Sequence, residues 1–189
     1  MNWKLFVIGL IVSVISGASS YAKTIEVGAS QVAVIVPQPA DDDPSHGPRV
    51  CIKFDLPQGV AGVEIGFGDL ALSIALPAGA DDSLAIFEAF ALSSSWNAGV
   101  GWIDFPVPGG DLDSSLYSTN TVWCGRDSLL SLDVTEMAQR WNLHPEENFG
   151  VILIPRRTDW RAIREARFMP EQIRSRAALR IVVPGRAAE

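Results

Sequence analysis

In the stretch Val50-Cys51-Ile52-Lys53-Phe54-Asp55, large apolar side chains occupy every second position, which is typical of a β-strand. Because successive side chains of a strand point to opposite faces, Val50, Ile52 and Phe54 share one face, and Cys51 shares the other face with Lys53 and Asp55. Pro57 and Gly59 follow and end the strand. The stretch therefore predicts a strand with one apolar face.

The same pattern recurs along the chain. Residues 69–76 alternate, with Leu70, Leu72, Ile74 and Leu76 on one face. Further short apolar runs predict strands at 31–36, 84–92, 101–107, 129–132, 149–154 and 179–183, whereas 39–48 and about 108–121 have the composition of loops. Turn signals every 8 to 15 residues are the spacing of an all-β sandwich.

One helix interrupts the strands, at residues 134–142. Asp133 stands three residues before Glu136, the arrangement of a capping box. An apolar stripe at helical spacing follows, formed by Val134, Met137, Ala138 and Trp141. We expect this stripe to be core packing, with Trp141 tying the helix to the sandwich.

The composition restricts the class of protein. The chain has 189 residues, of which 48% are apolar, and a net charge of −7. The apolar fraction excludes a disordered chain, and an acidic surface is unsuited to nucleic acid, whose phosphates need basic partners. We predict one β-sandwich domain over residues 23–189, with its core at about 25–184.

Residues 1–22 have the features of a secretory signal peptide. A positively charged start precedes the apolar run 5–15, and Ser20 and Ala22 fit cleavage after Ala22. The alternative is an uncleaved anchor, although the run is shorter than a spanning helix needs. Cleavage predicts a secreted, periplasmic or cell-surface protein that has no integral membrane segment.

Export makes the two cysteines informative. Cys51 and Cys124 are the only cysteines of the chain, and exported proteins commonly form disulfides. We therefore predict a Cys51–Cys124 disulfide, flanked by Trp123. The alternative is two separate thiols, one or both of them buried.

An ordered series of motifs resembles the DNRLRE-type domain, a β-sandwich related to carbohydrate-binding module family 96. The series begins at Arg49 and continues through 70–74, 133–135 and 148–153 to the Arg-rich stretch before 179–183. The resemblance covers roughly residues 25–184 and implies an exported, jelly-roll-like antiparallel sandwich that accompanies enzymes on polysaccharides or belongs to cell surfaces. The matched positions are read as scaffold and not as binding residues: Arg49, Phe54, Trp96, Trp102, Asp133, Thr135, Trp141 and Gly150.

The sequence carries no recognisable catalytic motif, and we predict that the protein is not an enzyme. Its two histidines, His46 and His144, lie in Pro-containing loops, and no nucleophile elbow, zinc-protease helix or phosphate loop occurs. No cofactor is expected. The acidic loops 41–43 and 111–113 offer oxygen atoms suited to a structural Ca²⁺, but they lack a complete calcium-loop motif, so no metal ligand is assigned.

The charge is unevenly distributed. Residues 154–180 contain eight Arg and three acidic residues, so this segment is strongly basic within an acidic chain. Within it, Arg157, Trp160 and Arg161 are the candidate ligand-binding residues, because Arg pairs with carboxylates and Trp stacks on sugar rings. The alternative is that these Arg pair with acidic loops of the same chain.

Two functions remain open from the sequence. The first is a non-catalytic carbohydrate-binding sandwich for an acidic polysaccharide. The second is a structural cell-surface or matrix protein, in which the basic segment of one molecule meets the acidic loops of another and the protein self-associates or binds protein partners.

Overall fold

The computed structural model describes residues 22–35, 48–75, 84–97, 99, 112–123, 127–156 and 169–185. These residues contain eight strands: β1 (Lys23–Ile35), β2 (Arg49–Phe54), β3 (Phe67–Ala75), β4 (Leu84–Leu92), β5 (Leu112–Trp123), β6 (Asp127–Asp133), β7 (Val151–Arg156) and β8 (Ala177–Val183). They also contain two α-helices, α1 (Thr135–Leu143) and α2 (Pro170–Arg176), and two 3₁₀ turns, Gln58–Val60 and Pro145–Glu147.

The strands pair antiparallel in the order β5-β4-β7-β2-β1-β8-β3-β6. Strand β1 belongs to both halves of this sheet: Lys23 to Gly28 pair with β8, and Gln31 to Ile35 pair with β2. The register shifts between Ala29 and Gln31, and such an irregularity lets a strand bend from one layer into the next.

The two layers, β1-β8-β3-β6 and β2-β7-β4-β5, have the strand orders of a jelly roll. The predicted all-β, jelly-roll-like antiparallel sandwich is therefore confirmed. Strands β5 and β6 also lie beside each other, where the Asn120 side-chain amide donates to the backbone oxygen of Ser131, so the sheet is nearly closed.

The core lies between the layers and follows the predicted alternation. Leu70, Leu72 and Ile74 of β3 face Val50, Ile52 and Phe54 of β2 across one buried cluster. Strand β7 is apolar on both faces because Ile152 and Ile154 pack into a second buried cluster outside the sandwich, together with Ala33, Ile35, Cys51 and Leu92.

The predicted helix is confirmed with a shift of one residue. Its apolar stripe is buried as expected, and Trp141 is 2% exposed. The capping box is not formed: Asp133 is the last residue of β6, and its carboxylate accepts from the backbone N–H of Thr135 at 3.0 Å. Thr135 Oγ1 in turn accepts from the Gly68 N–H at 2.9 Å, which ties α1 to β3.

Three sequence expectations differ from the structure. Strand β5 occupies Leu112–Trp123, most of the predicted 108–121 loop, because β4 supplies a hydrogen-bonding partner along its length. Strand β1 begins eight residues before the predicted start, at Lys23, where β8 provides a partner. Helix α2 was not predicted; it follows Pro170 and buries Ile173. The predicted strand 101–107 lies outside the described residues.

Candidate functional site

The outward face of β5 carries four solvent-exposed side chains in a row. Tyr117, Thr119, Thr121 and Trp123 occupy alternate positions of the strand and therefore point to the same side of the sheet. Tyr117 is 46% exposed and Trp123 is 49% exposed. We call this row the β5 strip.

Strand β4 supports the strip from one side. The Phe90 ring lies beside the Tyr117 ring, with centroids 5.0 Å apart and planes at 42°. The Tyr117 hydroxyl donates to Glu88 Oε1 at 3.3 Å. At the other end of the strip, Trp123 pairs with Leu84, which is itself 42% exposed. Both aromatic side chains therefore have a neighbour on β4, and each leaves about half of its surface in solvent.

The same face of the sheet is buried on the strands further in. Cys51, Ile152 and Ile154 lie in the second apolar cluster, against which Phe90, Trp96 and Phe149 pack. Trp96 is half-buried, and its indole N–H donates to the Phe149 carbonyl at 2.7 Å. The change from buried to exposed aromatic side chains therefore falls between β4 and β5.

The strip offers two kinds of contact to a ligand. Tyr117 and Trp123 are six residues apart, or about 20 Å along an extended strand. Between them stand two hydroxyl groups, and Glu88 provides a carboxylate beside them. Half-exposed aromatic rings provide rigid apolar platforms, and hydroxyls and carboxylates accept and donate hydrogen bonds, which suits a long polar polymer.

The strip is not apparent from composition. The sequence predicts a loop at Tyr117, Thr119 and Thr121, and it places Trp123 beside the predicted disulfide. The period-two alternation of residues 117–123 is the signal that could have found it, but a row of Ser, Thr and Asn favours a loop when composition alone is considered.

The predicted binding residues Arg157, Trp160 and Arg161 lie outside the described residues. The last described residue before them is Arg156, whose backbone pairs with Ile86 of β4. Ile86 pairs in turn with Thr121 of the β5 strip. The basic segment therefore begins two strands away from the strip, at its Trp123 end.

Arg180, the last Arg of the basic segment, forms an intramolecular ion pair with a residue of β1. Arg180 Nε lies 3.1 Å from Glu26 Oε2, across the β8–β1 pair. Arg174 and Arg176 stand in the last turn of α2 and are exposed. Glu26 belongs to strand β1 and not to an acidic loop, so this ion pair does not test the alternative of pairing with the acidic loops.

Of the residues considered for Ca²⁺, the structure describes Asp113. Its carboxylate accepts from the Ser115 N–H at 3.0 Å and pairs with Arg140 at 2.8 Å. The hydrogen bonds from Ser115, together with the positive charge of Arg140, lower the pKa of Asp113. Arg140 also binds Glu147 at 2.6 Å, so these groups satisfy one another. Asp41, Asp42, Asp43 and Asp111 lie outside the described residues.

Another group with ligand atoms for a cation is formed by His144, Glu146 and Glu147. Their side-chain atoms lie within 4.8 Å of one another on the second 3₁₀ turn. All three are at least partly exposed, and the Glu147 carboxylate is already bound by Arg140. We assign no metal to this group.

Cys51 is a free thiol with no exposed surface. Burial raises its pKa to about 12, despite the nearby charge of Arg49. Cys51 pairs with Ile152, Ile152 pairs with Phe90, and Phe90 pairs with Tyr117, so Cys51 lies three strands from Tyr117 on the same row of the sheet. Trp123 lies six residues further along β5, so Cys51 is roughly 20 Å or more from Trp123. Cys124 lies outside the described residues, but it follows Trp123 directly. Because a disulfide needs Cα atoms within about 7 Å, this register favours the alternative of separate thiols over the predicted bridge.

The fold and the strip define an all-β jelly-roll sandwich with an exposed aromatic row on one strand. Among the described residues, no helix has the length and apolar character needed to cross a membrane. No protein-family model matches the chain, and no curated protein matches it.

Proposed function

We propose that the protein is a non-catalytic carbohydrate-binding sandwich that holds an extended polysaccharide along the β5 strip. The observation that carries this proposal is the pair Tyr117 and Trp123, two half-exposed aromatic side chains on one face of one strand with hydroxyls between them. Exposed aromatic side chains in a row on a rigid strand are what stacking on successive sugar rings requires.

An acidic polysaccharide is the proposed ligand class. Arg156, the first Arg of the basic segment, pairs with Ile86 of β4, and Ile86 pairs with Thr121 of the strip. Guanidinium groups pair with carboxylates bidentately, so the Arg residues that follow Arg156 in the sequence are the proposed partners of the carboxylates of a uronate chain. The predicted residues Arg157, Trp160 and Arg161 would then extend the strip.

Export to the periplasm, the cell surface or the medium belongs to the same proposal. Its support is the signal-peptide pattern of residues 1–22 and the resemblance to DNRLRE-type domains, both of which are sequence predictions.

The test is affinity electrophoresis of the purified protein through gels that contain alginate, pectin or neutral glycans. We expect retardation on the uronate polymers. Trp123→Ala should weaken retention about tenfold, because a stacked aromatic ring contributes on the order of 1.4 kcal/mol.

The matched control is Phe67→Ala. Phe67 is an aromatic residue of similar exposure, 46% against 49% for Trp123, but it lies on β3 in the other layer. It should leave retention unchanged. Normal mobility of the unmodified protein on every glycan would overturn the proposed function, and equal effects of the two substitutions would remove the β5 strip from it.

A further inference from the structure

A groove of about 680 Å³ lies along α1, at the end of the sheet where β3 begins. One wall is α1, and the other is the loop that contains Glu64 and Ile65. The loop is tied to the helix, because the Ile65 N–H donates to Gln139 Oε1 at 2.6 Å. Since both walls are held by the fold, a partner can bind here with little ordering of the backbone. We call this feature the α1 groove.

The α1 groove combines an exposed apolar side chain with negative charge. Leu143, the last residue of α1, is 54% exposed. Glu64 and Glu136 are exposed at the groove, and neither forms an ion pair with another residue that the structure describes. Arg140 also lines the groove, but two carboxylates already hold its guanidinium group. The groove therefore suits a basic partner that also carries an apolar side chain.

The complementary properties occur together at α2. Arg174 and Arg176 stand in its last turn, are exposed and form no ion pair within the described part of the chain. The acidic residue of this helix, Glu171, lies in the first turn. Met169, directly before α2, is 48% exposed. The surface of α2 therefore offers two guanidinium groups and an apolar side chain, where the α1 groove offers carboxylates and Leu143.

These two surfaces lie at opposite ends of β8. Helix α2 ends at Arg176, and β8 begins with the next residue, Ala177. Near the other end of β8, the Val182 carbonyl accepts from the Gly66 N–H at 2.9 Å, directly after the loop that forms the α1 groove. Ala177 and Val182 are five residues apart, or about 17 Å along a strand. The sheet therefore keeps the two surfaces apart within one molecule, and they can meet between molecules.

We propose that the protein associates head to tail, with the basic last turn of α2 of one copy docked in the α1 groove of the next copy. Because the two surfaces differ, every added copy leaves one groove and one α2 open, so the contact can propagate. Planar pairing of guanidinium groups with carboxylates orients the docked helix. These pairs are exposed to solvent, so the contact should be weak and should be lost in high salt. This association goes beyond glycan binding and does not depend on it.

The test is sedimentation velocity of the purified full chain, without glycan, at protein concentrations up to about 1 mM. The runs are made in about 0.01 M salt and in about 1 M salt, where charges are screened over a few ångströms. We expect species larger than a monomer in low salt and a monomer in high salt. A monomer in both conditions, or equal association in both, would overturn the proposal.

Charge reversal tests each surface separately. The groove variant carries Glu64→Lys together with Glu136→Lys. The helix variant carries Arg174→Glu together with Arg176→Glu. All four residues are exposed, and each variant should raise the dissociation constant in low salt at least tenfold, because like charges then face each other. An equimolar mixture of the two variants should associate again, because the native groove of one meets the native α2 of the other.

The matched control carries Glu26→Lys together with Asp55→Lys. Both residues are exposed, neither lines the groove, and the change in net charge equals that of the groove variant. The control should associate no less strongly than the unmodified protein. An equal loss of association in the control would overturn the groove. Unchanged association of the helix variant would overturn α2 as the docked element and would point to another basic part of the chain.

Discussion

Gly150 packs directly against the backbone carbonyl of Ile52, with no room between them for a side chain. Its φ angle is +90°, a conformation that side-chain-bearing residues rarely adopt, and a Cβ placed there would overlap Ile52 O. Gly150 stands immediately before β7, and its carbonyl accepts from the Leu92 N–H at 2.9 Å. This close contact sets where β7 enters the sheet between β2 and β4.

Gly150→Ala should lower the free energy of unfolding by about 2–4 kcal/mol, because it combines backbone strain with overlap. The control is Gly28→Ala on β1, where a Cβ would meet nothing within 4 Å. Urea unfolding monitored by Trp fluorescence measures both. Equal stability of the two variants would contradict the contact.

Trp141 and Trp123 should behave oppositely on truncation. Trp141→Ala should cost about 3–5 kcal/mol, because its indole is 2% exposed within the core. Trp123→Ala should stay within about 1 kcal/mol of the original protein, because half of the side chain is already in solvent. Thermal unfolding of the two variants decides this, and a strongly destabilised Trp123→Ala would identify Trp123 as a packing residue.

The Cys51 thiol should resist alkylation in the native protein. Its pKa is about 12 and it has no exposed surface, so thiolate is absent at neutral pH. We expect iodoacetamide to leave Cys51 unmodified in the folded protein. After denaturation without a reducing agent, it should modify both cysteines. An intact mass two hydrogens lower, with no alkylation, would instead establish the Cys51–Cys124 bridge.

The same thiol makes stability depend on alkaline pH. The folded pKa is raised from 9.0 to about 12, so its contribution is complete below pH 9 and is lost as the pH rises towards 12. The melting temperature of the unmodified protein should therefore fall more steeply over this interval than that of Cys51→Ala. If the melting temperatures of the two proteins fell in parallel with pH, the thiol would have the same pKa in the folded and unfolded states.

The Asp113–Arg140 pair should make stability depend on acidic pH, where its contribution is lost as the pH falls. The pKa of Asp113 is lowered in the folded state, so its contribution is present above the unfolded pKa and disappears as the pH falls through the folded value. Asp113→Asn should flatten the acid side of the stability profile slightly. The pair is solvent-exposed, so the effect should be small and should shrink further in high salt.

The substitution Trp160→Ala distinguishes a role of Trp160 in glycan binding from a role in core packing. If Trp160 extends the glycan site, Trp160→Ala keeps full stability and loses retention on alginate, and Arg157→Ala weakens retention modestly. If Trp160 is a core residue, its truncation costs about 3–5 kcal/mol. A stable Trp160→Ala protein that binds normally would remove this residue from the site.

The sequence by itself determined the fold class and the positions of most strands. Alternation in β3 and at Val50, Ile52 and Phe54 follows from local chemistry, because a strand with one apolar face must bury that face. The stripe that ends at Trp141 was readable for the same reason, since helical spacing alone gathers it on one side.

Tertiary structure decided what period and composition do not encode. Strand β5 is polar because one of its faces is solvated, and it is a strand because β4 supplies a hydrogen-bonding partner along its length. Tyr117 and Trp123 stand out as a candidate site once that pairing puts them on one exposed face. Cys51 and Trp123 are separated by three strand pairings, β2–β7, β7–β4 and β4–β5. Each of these facts depends on residues distant in the chain, whose mutual placement is set by the packing of the whole sheet.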